Sequence, residues 1–351
     1  MEEQNTISLE YARLQRRRGR FIVLILAALL VLSTAAIFLG TSDISLPGLL
    51  ALWFPNINAA PITRTQQVII VTLRLPRIVT ALLVGAALGI SGTVMQSTTG
   101  NIMASPFTTG ISSAAGLGAA IGILFHPFGV GELSTILCAF GLAAVNAVIV
   151  YGVTAVKNLG AGGMILVGVA LNFLFSSANS LLQYAASEDQ LQQIVHWNFG
   201  SLTGITWTQI LIMAVALAAA SVVFMRKAWS LNVMSSGGDE SARALGINAK
   251  QVRIVTGLLV TLVAAITISF VGVIGFVGIV APHVARLLIG SEHRVLLPAS
   301  ALIGALLVLV ADTIGRTIIQ PTIIPVGIVL SVVGAPIFLY LILSRNRGRM
   351  A

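Results

Sequence analysis

The sequence predicts an all-α protein that crosses a membrane about ten times. Of its 351 residues, 57% are apolar and only 9% are charged, and the mean hydropathy is +0.99. A soluble domain carries about 25% charged residues, whereas one membrane helix needs about 20 apolar residues. The apolar content therefore suits roughly ten spans and excludes a cytosolic enzyme or a DNA-binding domain, because neither could build a polar surface from it.

Uninterrupted apolar runs mark the individual spans. The first run follows a basic segment at residues 1–20, but it is longer than the apolar core of about 7–15 residues in a signal peptide. We therefore predict an uncleaved first helix and a single transmembrane domain over residues 21–344. The spans are predicted near 21–40, 76–96, 108–125, 134–156, 161–184, 208–225, 254–272, 274–289, 297–316 and 325–343. The seventh and eighth are nearly continuous, so that nine and eleven spans are alternatives.

The distribution of basic residues predicts the orientation in the membrane. With ten spans and a cytoplasmic N-terminus, 16 of the 20 Lys and Arg fall on the inside. The four outside are Arg64, Arg74, Arg77 and Arg316. This asymmetry is the one that the positive-inside rule describes. We expect the segment 1–20 and the tail 345–351 in the cytoplasm. The excess of Lys and Arg in cytoplasmic segments explains the net charge of +9, and nucleic-acid binding is not needed to explain it.

Glycine spacing predicts close helix packing. Gly85 and Gly89 in the second span, and Gly118 and Gly122 in the third, are four residues apart. Glycines with this spacing lie on one face and let two helix backbones approach closely. These residues therefore indicate packing between helices rather than a ligand site.

A polar stripe runs along the fifth span. Its members are Asn172, Ser176, Asn179, Ser180 and Gln183, which follow the spacing i, i+4, i+7, i+8 and i+11 of one helix face. Polar side chains at this depth must face protein or water. Hydrogen bonds between helices are one explanation. Five neutral polar groups on one face favour the other, a water-lined path for a large solute.

The loop between the sixth and seventh spans carries the densest charge of any internal loop, and we predict that it is cytoplasmic. Residues 235–246 within it have the pattern of a short surface helix. Asp239 and Glu240 favour its N-terminal end, and Gly246 ends it. The helix is either a solvated loop element or a docking element for a cytoplasmic partner.

Few residues suit chemistry within the membrane. Asp312, close to Arg316, is the only acidic residue well inside a span and is the candidate coupling group of an ion-driven carrier. The four histidines are scattered over different loops, and the chain has neither a metal-binding HExxH motif nor a phosphate-binding GxxxxGK[ST] motif. We therefore predict no catalytic or metal site, and any ATPase that drives this chain is another polypeptide.

Motifs spread over residues 73–338 resemble the FecCD/BtuC-type permeases, the membrane subunits of ABC importers for iron–siderophores, haem and cobalamin. In order they are LRLPR (73–77), GAALGISG (85–92) with Gln96, A-S-P (104–106), WNFGSL (197–202), the 239–246 loop, GFVG (275–278), APHVAR (281–286), HRVLLP (293–298), PVGI (325–328) and GAP (334–336). Residues 100–104 depart from the family pattern, which usually has Arg or Glu followed by Asn-Pro-Leu-Ala.

The resemblance implies a type II ABC importer permease fold with ten helices in a bacterial cell membrane. It also implies a second permease copy, identical or homologous, a dimer of cytoplasmic ABC ATPases, and an extracytoplasmic substrate-binding protein. ATP and Mg²⁺ would bind to the ATPases, and this chain would carry no cofactor.

The resemblance also assigns roles to residues. Arg74, Arg77 and Arg316 would dock the binding protein, with anchoring to lipid headgroups as the alternative. The coupling segment, residues 235–250, would fit the ATPase through Asp239, Glu240, Ala242, Arg243, Leu245 and Gly246. The start of the fifth span would form an inner gate at Gly160, Ala161, Gly162 and Gly163, and Gln96 would join the polar stripe along the path.

The predicted cargo is an iron–siderophore. The cobalamin permease has small hydroxyl residues where this chain has Ala161 and Gly162, and Asn172 agrees better with the siderophore members. Haem and cobalamin import are the alternatives within the family. An ion-coupled secondary carrier that uses Asp312 is the alternative from another class, followed by a membrane protein that transports nothing.

Overall fold

The computed structural model describes residues 2–39, 63–319 and 322–347, with the side chains of residues 16–39, 63–319 and 322–339. This part of the chain forms twelve helices and no strand. The helices are α1 (Glu2–Phe38), α2 (Arg64–Thr99), α3 (Ile111–Phe125), α4 (Glu132–Val156), α5 (Ala161–Ala185), α6 (Glu188–Asn198), α7 (Trp207–Arg226), α8 (Ala228–Ala244), α9 (Ala249–Val271), α10 (Val277–Ile289), α11 (His293–Thr317) and α12 (Val326–Arg347).

Ten of these helices coincide with the predicted spans. Seven are long and apolar enough to cross a membrane, namely α1 from Arg16 onward, α2, α4, α5, α7, α9 and α11. Three shorter apolar helices, α3, α10 and α12, complete the set. The prediction of an all-α protein with about ten apolar helices is confirmed. Residue 40 of the first span and residues 348–351 of the predicted tail lie outside the described residues.

A break separates the seventh and eighth spans, which the sequence left nearly continuous. The α9 helix ends at Gly272, whose φ of 72° lies in the left-handed region that favours glycine. Residues 272–276 are not helical, and α10 begins at Val277. The two spans are therefore separate helices.

The α2 helix forms the centre of the bundle and packs against α11 and α10 at glycines. A Cβ atom on Gly85 would lie 2.2 Å from the carbonyl oxygen of Gly304, and one on Gly92 would lie 1.8 Å from that of Gly278. The predicted close packing is also found between α3 and α4, where a Cβ on Gly118 would lie 2.2 Å from the Cys138 oxygen. Only glycine allows this approach of the backbones.

Three local features were not predicted. The α2 helix contains a π-helical segment, Ile69–Arg74. The α6 helix is a short element after α5, and the Ser187 side chain caps its N-terminus by accepting a hydrogen bond from the Gln190 backbone N–H. The α8 helix has a kink at Gly238, where φ is 66° and ψ is −159°.

Candidate functional site

An open cleft of about 610 Å³ lies beside the 3₁₀ turn Pro106–Thr109 and α12. Among the described residues that line it, none is charged. Its polar groups come from Ser105, Thr108, Asn198 and Ser331, and its aromatic rings from Phe107, Phe199 and Phe276. Apolar walls with a few polar groups are typical of sites that receive an organic molecule.

Phe276 sits in the cleft with an unusual backbone conformation. Its φ is 66°, which is a strained value for a bulky residue. It precedes α10 directly, and its side chain packs against Gly334 of α12, where an added Cβ would lie 3.1 Å from the Phe276 Cβ. Strained residues persist where the surroundings hold them and cluster at functional sites. The break between α9 and α10 thus presents an aromatic ring to the cleft.

The structure divides the predicted polar stripe of α5 into two parts. Asn172 Oδ1 accepts a hydrogen bond from Ser113 Oγ of α3, and Asn179 lies beside Gly116 of the same helix. Ser176 and Ser180 are exposed, while Gln183 is half-buried. The stripe therefore makes contacts between helices and also offers an exposed polar surface, and its residues are not among those that line the cleft described above.

Gln96, the other residue predicted on the path, is buried. Its Oε1 accepts a hydrogen bond from Arg286 Nη1 at 3.3 Å, and its Nε2 donates to the Ile279 carbonyl oxygen at 3.4 Å. Both partners lie on α10. Within this chain Gln96 therefore joins α2 to α10.

The predicted gate residues lie at the start of α5. Gly160 is the N-cap residue, and Gly160 and Gly162 are exposed, whereas Ala161 and Gly163 are half-buried. A Cβ added at Gly160 or Gly162 would meet nothing within 4 Å. Asn158, two residues before Gly160, contacts Lys250 Nζ at the start of α9. This contact joins the segment before the predicted gate to the end of the coupling segment.

Asp312 lies at the centre of a buried charge cluster. Its side chain is 0% exposed, Arg77 Nε donates to its Oδ1 at 2.8 Å, and Arg316 Nε lies 3.2 Å from its Oδ2. Arg77 also donates to Thr203 Oγ1 at 2.9 Å. A buried carboxylate is tolerated when it is paired and hydrogen-bonded in this way.

The arginines of this cluster also hold the end of α1. Arg74 Nη1 donates to the Ile37 carbonyl oxygen, and Arg316 Nη2 donates to that of Ala36 at 3.3 Å. The last carbonyls of a helix have no partner within the helix and carry partial negative charge. The three arginines predicted to dock a binding protein are thus placed together, and all three make contacts within the chain. Docking itself stays a prediction.

The coupling segment has an exposed apolar tip. Beyond the kink at Gly238, Ala242 is buried, whereas Leu245 is 61% exposed. Gly246, with a φ of 73°, follows the end of α8, as the sequence predicted. Asp239 pairs with Arg253 of α9. From the sequence, Arg253 was predicted only as one of the cytoplasmic charges, although a basic residue at the start of an apolar run is the type of signal that accompanies a buried ion pair.

These features define a helical membrane protein with an uncharged cleft and an exposed coupling segment, the class of the membrane-embedded transport subunits. The chain belongs to the FecCD transport family, whose family model matches residues 25–344. It is a permease subunit of an ABC importer, and the resemblance noted from the sequence motifs is confirmed.

Similar proteins agree with this assignment. The hemin transport system permease protein HmuU of Yersinia pestis is 35% identical over 96% of this chain and 98% of its own length. A protein of Methanocaldococcus jannaschii named as an ABC transporter permease is 40% identical over 79% of this chain and 82% of its own length. Other relatives are named for import of iron(3+)-citrate, iron(3+)-hydroxamate, cobalamin and molybdate.

A solved structure shares the fold. The permease chain of a metal-chelate type ABC transporter in an inward-facing conformation superposes with a TM-score of 0.82 at 29% identity. The match covers 93% of this chain and 99% of that chain. The type II importer fold that the motifs implied is therefore shown for this chain.

Proposed function

We propose that this permease subunit moves a ferric chelate, specifically an iron–siderophore complex, into the cytoplasm. The proposal rests on the cleft, whose described lining residues are all uncharged. A small oxyanion such as molybdate is held in proteins by charged donors or helix N-termini. A siderophore surrounds its metal with organic groups, and aromatic rings such as Phe199 and Phe276 with scattered hydroxyl and amide groups suit such a surface.

The transport complex is the second part of the proposal. Membership of the family implies an ATPase partner and a complex embedded in the membrane. We assign to it two permease copies, two ATPases that bind ATP and Mg²⁺, and an extracytoplasmic binding protein, in a bacterial inner membrane with both termini cytoplasmic. The exposed side chain of Leu245 supports an ATPase contact at the coupling segment, because an isolated apolar tip on a polar surface suits a partner.

The gate and the docking site complete the proposal. Opening at Gly160–Gly163 would connect the path to the cytoplasm, and the open space around Gly160 and Gly162 supports movement there. The outer arginine cluster would receive acidic groups of the binding protein, since guanidinium groups orient carboxylates well. The grouping of Arg74, Arg77 and Arg316 at one end of the molecule supports this role.

An ion-coupled carrier is the competing function, with Asp312 as its coupling group. Such a group must exchange its ion or proton with water during each cycle. Asp312 is fully buried and paired with Arg77 and Arg316, which favours a structural role.

Uptake of labelled iron under iron limitation tests the proposal. Cells with and without this chain are offered siderophores and haem with labelled iron and, separately, labelled cobalamin and labelled molybdate. We expect loss of uptake for a siderophore, restored by this chain only together with an ATPase partner that can hydrolyse ATP. Loss for haem, cobalamin or molybdate alone would refute the siderophore assignment. Uptake that survives with a hydrolysis-deficient ATPase would favour the ion-coupled carrier.

A further inference from the structure

The last turn of α2 is a buried polar junction between several helices. Gln96, Ser97 and Thr98 are each at most 3% exposed. Each makes a polar contact with a different helix, Gln96 with α10, Ser97 with α11 and Thr98 with α9. Buried polar groups are nearly always paired in this way, because an unpaired one costs free energy. Three helices therefore hold the end of α2.

One of these contacts forms a bridge from the coupling segment through Arg253. Arg253 Nη2 pairs with Asp239 Oδ1, and Arg253 Nε donates to the carbonyl oxygen of Thr98 at 3.0 Å. The Arg253 side chain is only 4% exposed. Because a guanidinium is a rigid fork of donors, the two contacts together fix its position. A single side chain thus joins the coupling segment to α2.

A second bridge runs from α8 through His293. Asn232 Oδ1 accepts a hydrogen bond from the His293 backbone N–H at 2.8 Å and lies 2.6 Å from His293 Nδ1. The other ring nitrogen contacts Ser97 Oγ. Asn232 precedes the kink at Gly238, whereas Asp239 follows it. Both parts of α8 are therefore tied to consecutive residues of α2.

We propose that Arg253 and His293 are positioning residues that transmit a displacement of α8 to α2. The inference rests on the proposed function, in which the ATPase docks on the coupling segment. The end of α2 must follow α8, since a broken bridge would leave buried polar groups unpaired. The α2 helix ends at Gly100, so that residues 100–104 follow the same displacement.

Distances between spin labels test this coupling in the complete transporter with its ATPase and binding protein. Cysteines replace the exposed residues Ser236 of α8 and Ile102 beyond α2, after Cys138→Ser removes the single native cysteine. Labelled chains are diluted with unlabelled permease, so that only distances within a chain are measured. A second pair, Ser236 and the exposed Val130 between α3 and α4, reports whether α8 moves.

On ATP binding, the distance from Ser236 to Val130 should change, whereas that from Ser236 to Ile102 should stay constant. The Arg253→Lys variant keeps the buried charge but lacks the fork of donors. Combined with Asn232→Ala, which removes the acceptor for His293, it cuts both bridges, and the distance from Ser236 to Ile102 should then change between the two states. The amount of ATP hydrolysed per chelate transported should rise about five- to tenfold, because the two events are no longer coupled.

Two further variants keep the test decisive. Asp239→Ala, again combined with Asn232→Ala, removes the acceptor for Arg253 from the more exposed end of the bridge and should reproduce the change in distance from Ser236 to Ile102. Arg226→Gln removes an exposed charge at the end of α7, outside the coupling segment, and leaves both bridges intact, so it should behave as the unchanged protein. A constant distance in both double variants, Arg253→Lys with Asn232→Ala and Asp239→Ala with Asn232→Ala, or an α8 that ATP does not move, would overturn the inference. Absence of ATP-dependent uptake by the unchanged complex would instead refute the proposed function, and the inference with it.

Discussion

Asp312 has an environment that explains why a carboxylate is retained inside an apolar helix. Arg77 and Arg316 neutralise it, and the same arginine side chains hold Thr203 and the end of α1. Buried ion pairs of this type add little net stability, but removal of one member leaves the other charges uncompensated. The cluster therefore makes the junction of α1, α2 and α11 sensitive to a change at a single residue.

Replacement of Asp312 by Asn should destabilise the permease. The Asp312→Asn side chain has the same size but leaves two buried guanidinium groups without their counter-ion, so we expect the free energy of unfolding to fall by about 3 kcal/mol. The measurement is denaturant-induced unfolding of the purified permease in detergent. Arg64→Gln is the matched control, because Arg64 is exposed at the start of α2 and its loss should leave stability unchanged. Unchanged stability of Asp312→Asn together with lost transport would contradict the structural role.

Among the helices, α2 owes its position in the bundle to its glycine face. The close approach at Gly85, Gly89 and Gly92 brings α11 and α10 against it. Since lipid is as apolar as the side chains, helices in a membrane associate through this packing rather than through burial from water. The position of α2 in the centre of the bundle, and of the polar junction at its end, therefore depends on residues without side chains.

A methyl group at Gly92 should separate two helices. The Gly92→Ala Cβ would lie 1.8 Å from the Gly278 carbonyl oxygen, so that α2 and α10 must move apart. We expect the free energy of unfolding to fall by about 1–3 kcal/mol, with a lower yield of monodisperse protein. The midpoint of thermal unfolding and size-exclusion chromatography report both effects. Gly141→Ala in α4 is the control, because its Cβ would meet nothing within 4 Å, and it should unfold at the same temperature or higher. Equal behaviour of the two variants would contradict this account of the packing.

In the molecule as a whole, the spans and their glycine faces were predictable, whereas the choice of which helices become neighbours was not. Apolar runs of sufficient length can only be buried or face lipid, and so they predicted the ten apolar helices. Local signals also predicted the end of α8 at Gly246. The contacts of Arg253 with Thr98 and of His293 with Ser97 join residues 155 and 196 positions apart. Such pairs depend on which helices become neighbours, and no period or spacing in the sequence encodes that choice.

Two groups of charged and polar contacts lie at opposite ends of the described helices. Arg18 pairs with Glu292 at 2.8 Å, and Lys250 contacts Asn158 directly after α4, at the end where the coupling segment lies. The arginine cluster around Asp312 lies at the opposite end of α1. The 25 residues of α4 separate Val130, before its start, from Asn158 by roughly 37 Å along the helix. This division follows the one that the basic residues predicted.

The orientation of these two ends relative to the membrane is the remaining prediction. Because the loop at residues 226–253, which contains the coupling segment, carries five of the 20 Lys and Arg and Val130 precedes α4 at the other end, the positive-inside rule assigns Ser236 to the cytoplasm and Val130 to the outside. In a Cys138→Ser background, a membrane-impermeant maleimide should label Val130→Cys in intact cells. The same reagent should label Ser236→Cys only after the membrane is permeabilised. Both positions are exposed in the structure, so that a difference in labelling reports sidedness rather than burial. The reverse pattern would place the coupling segment outside the cell, where no ATPase could reach it, and would contradict an importer driven by ATP from the cytoplasm.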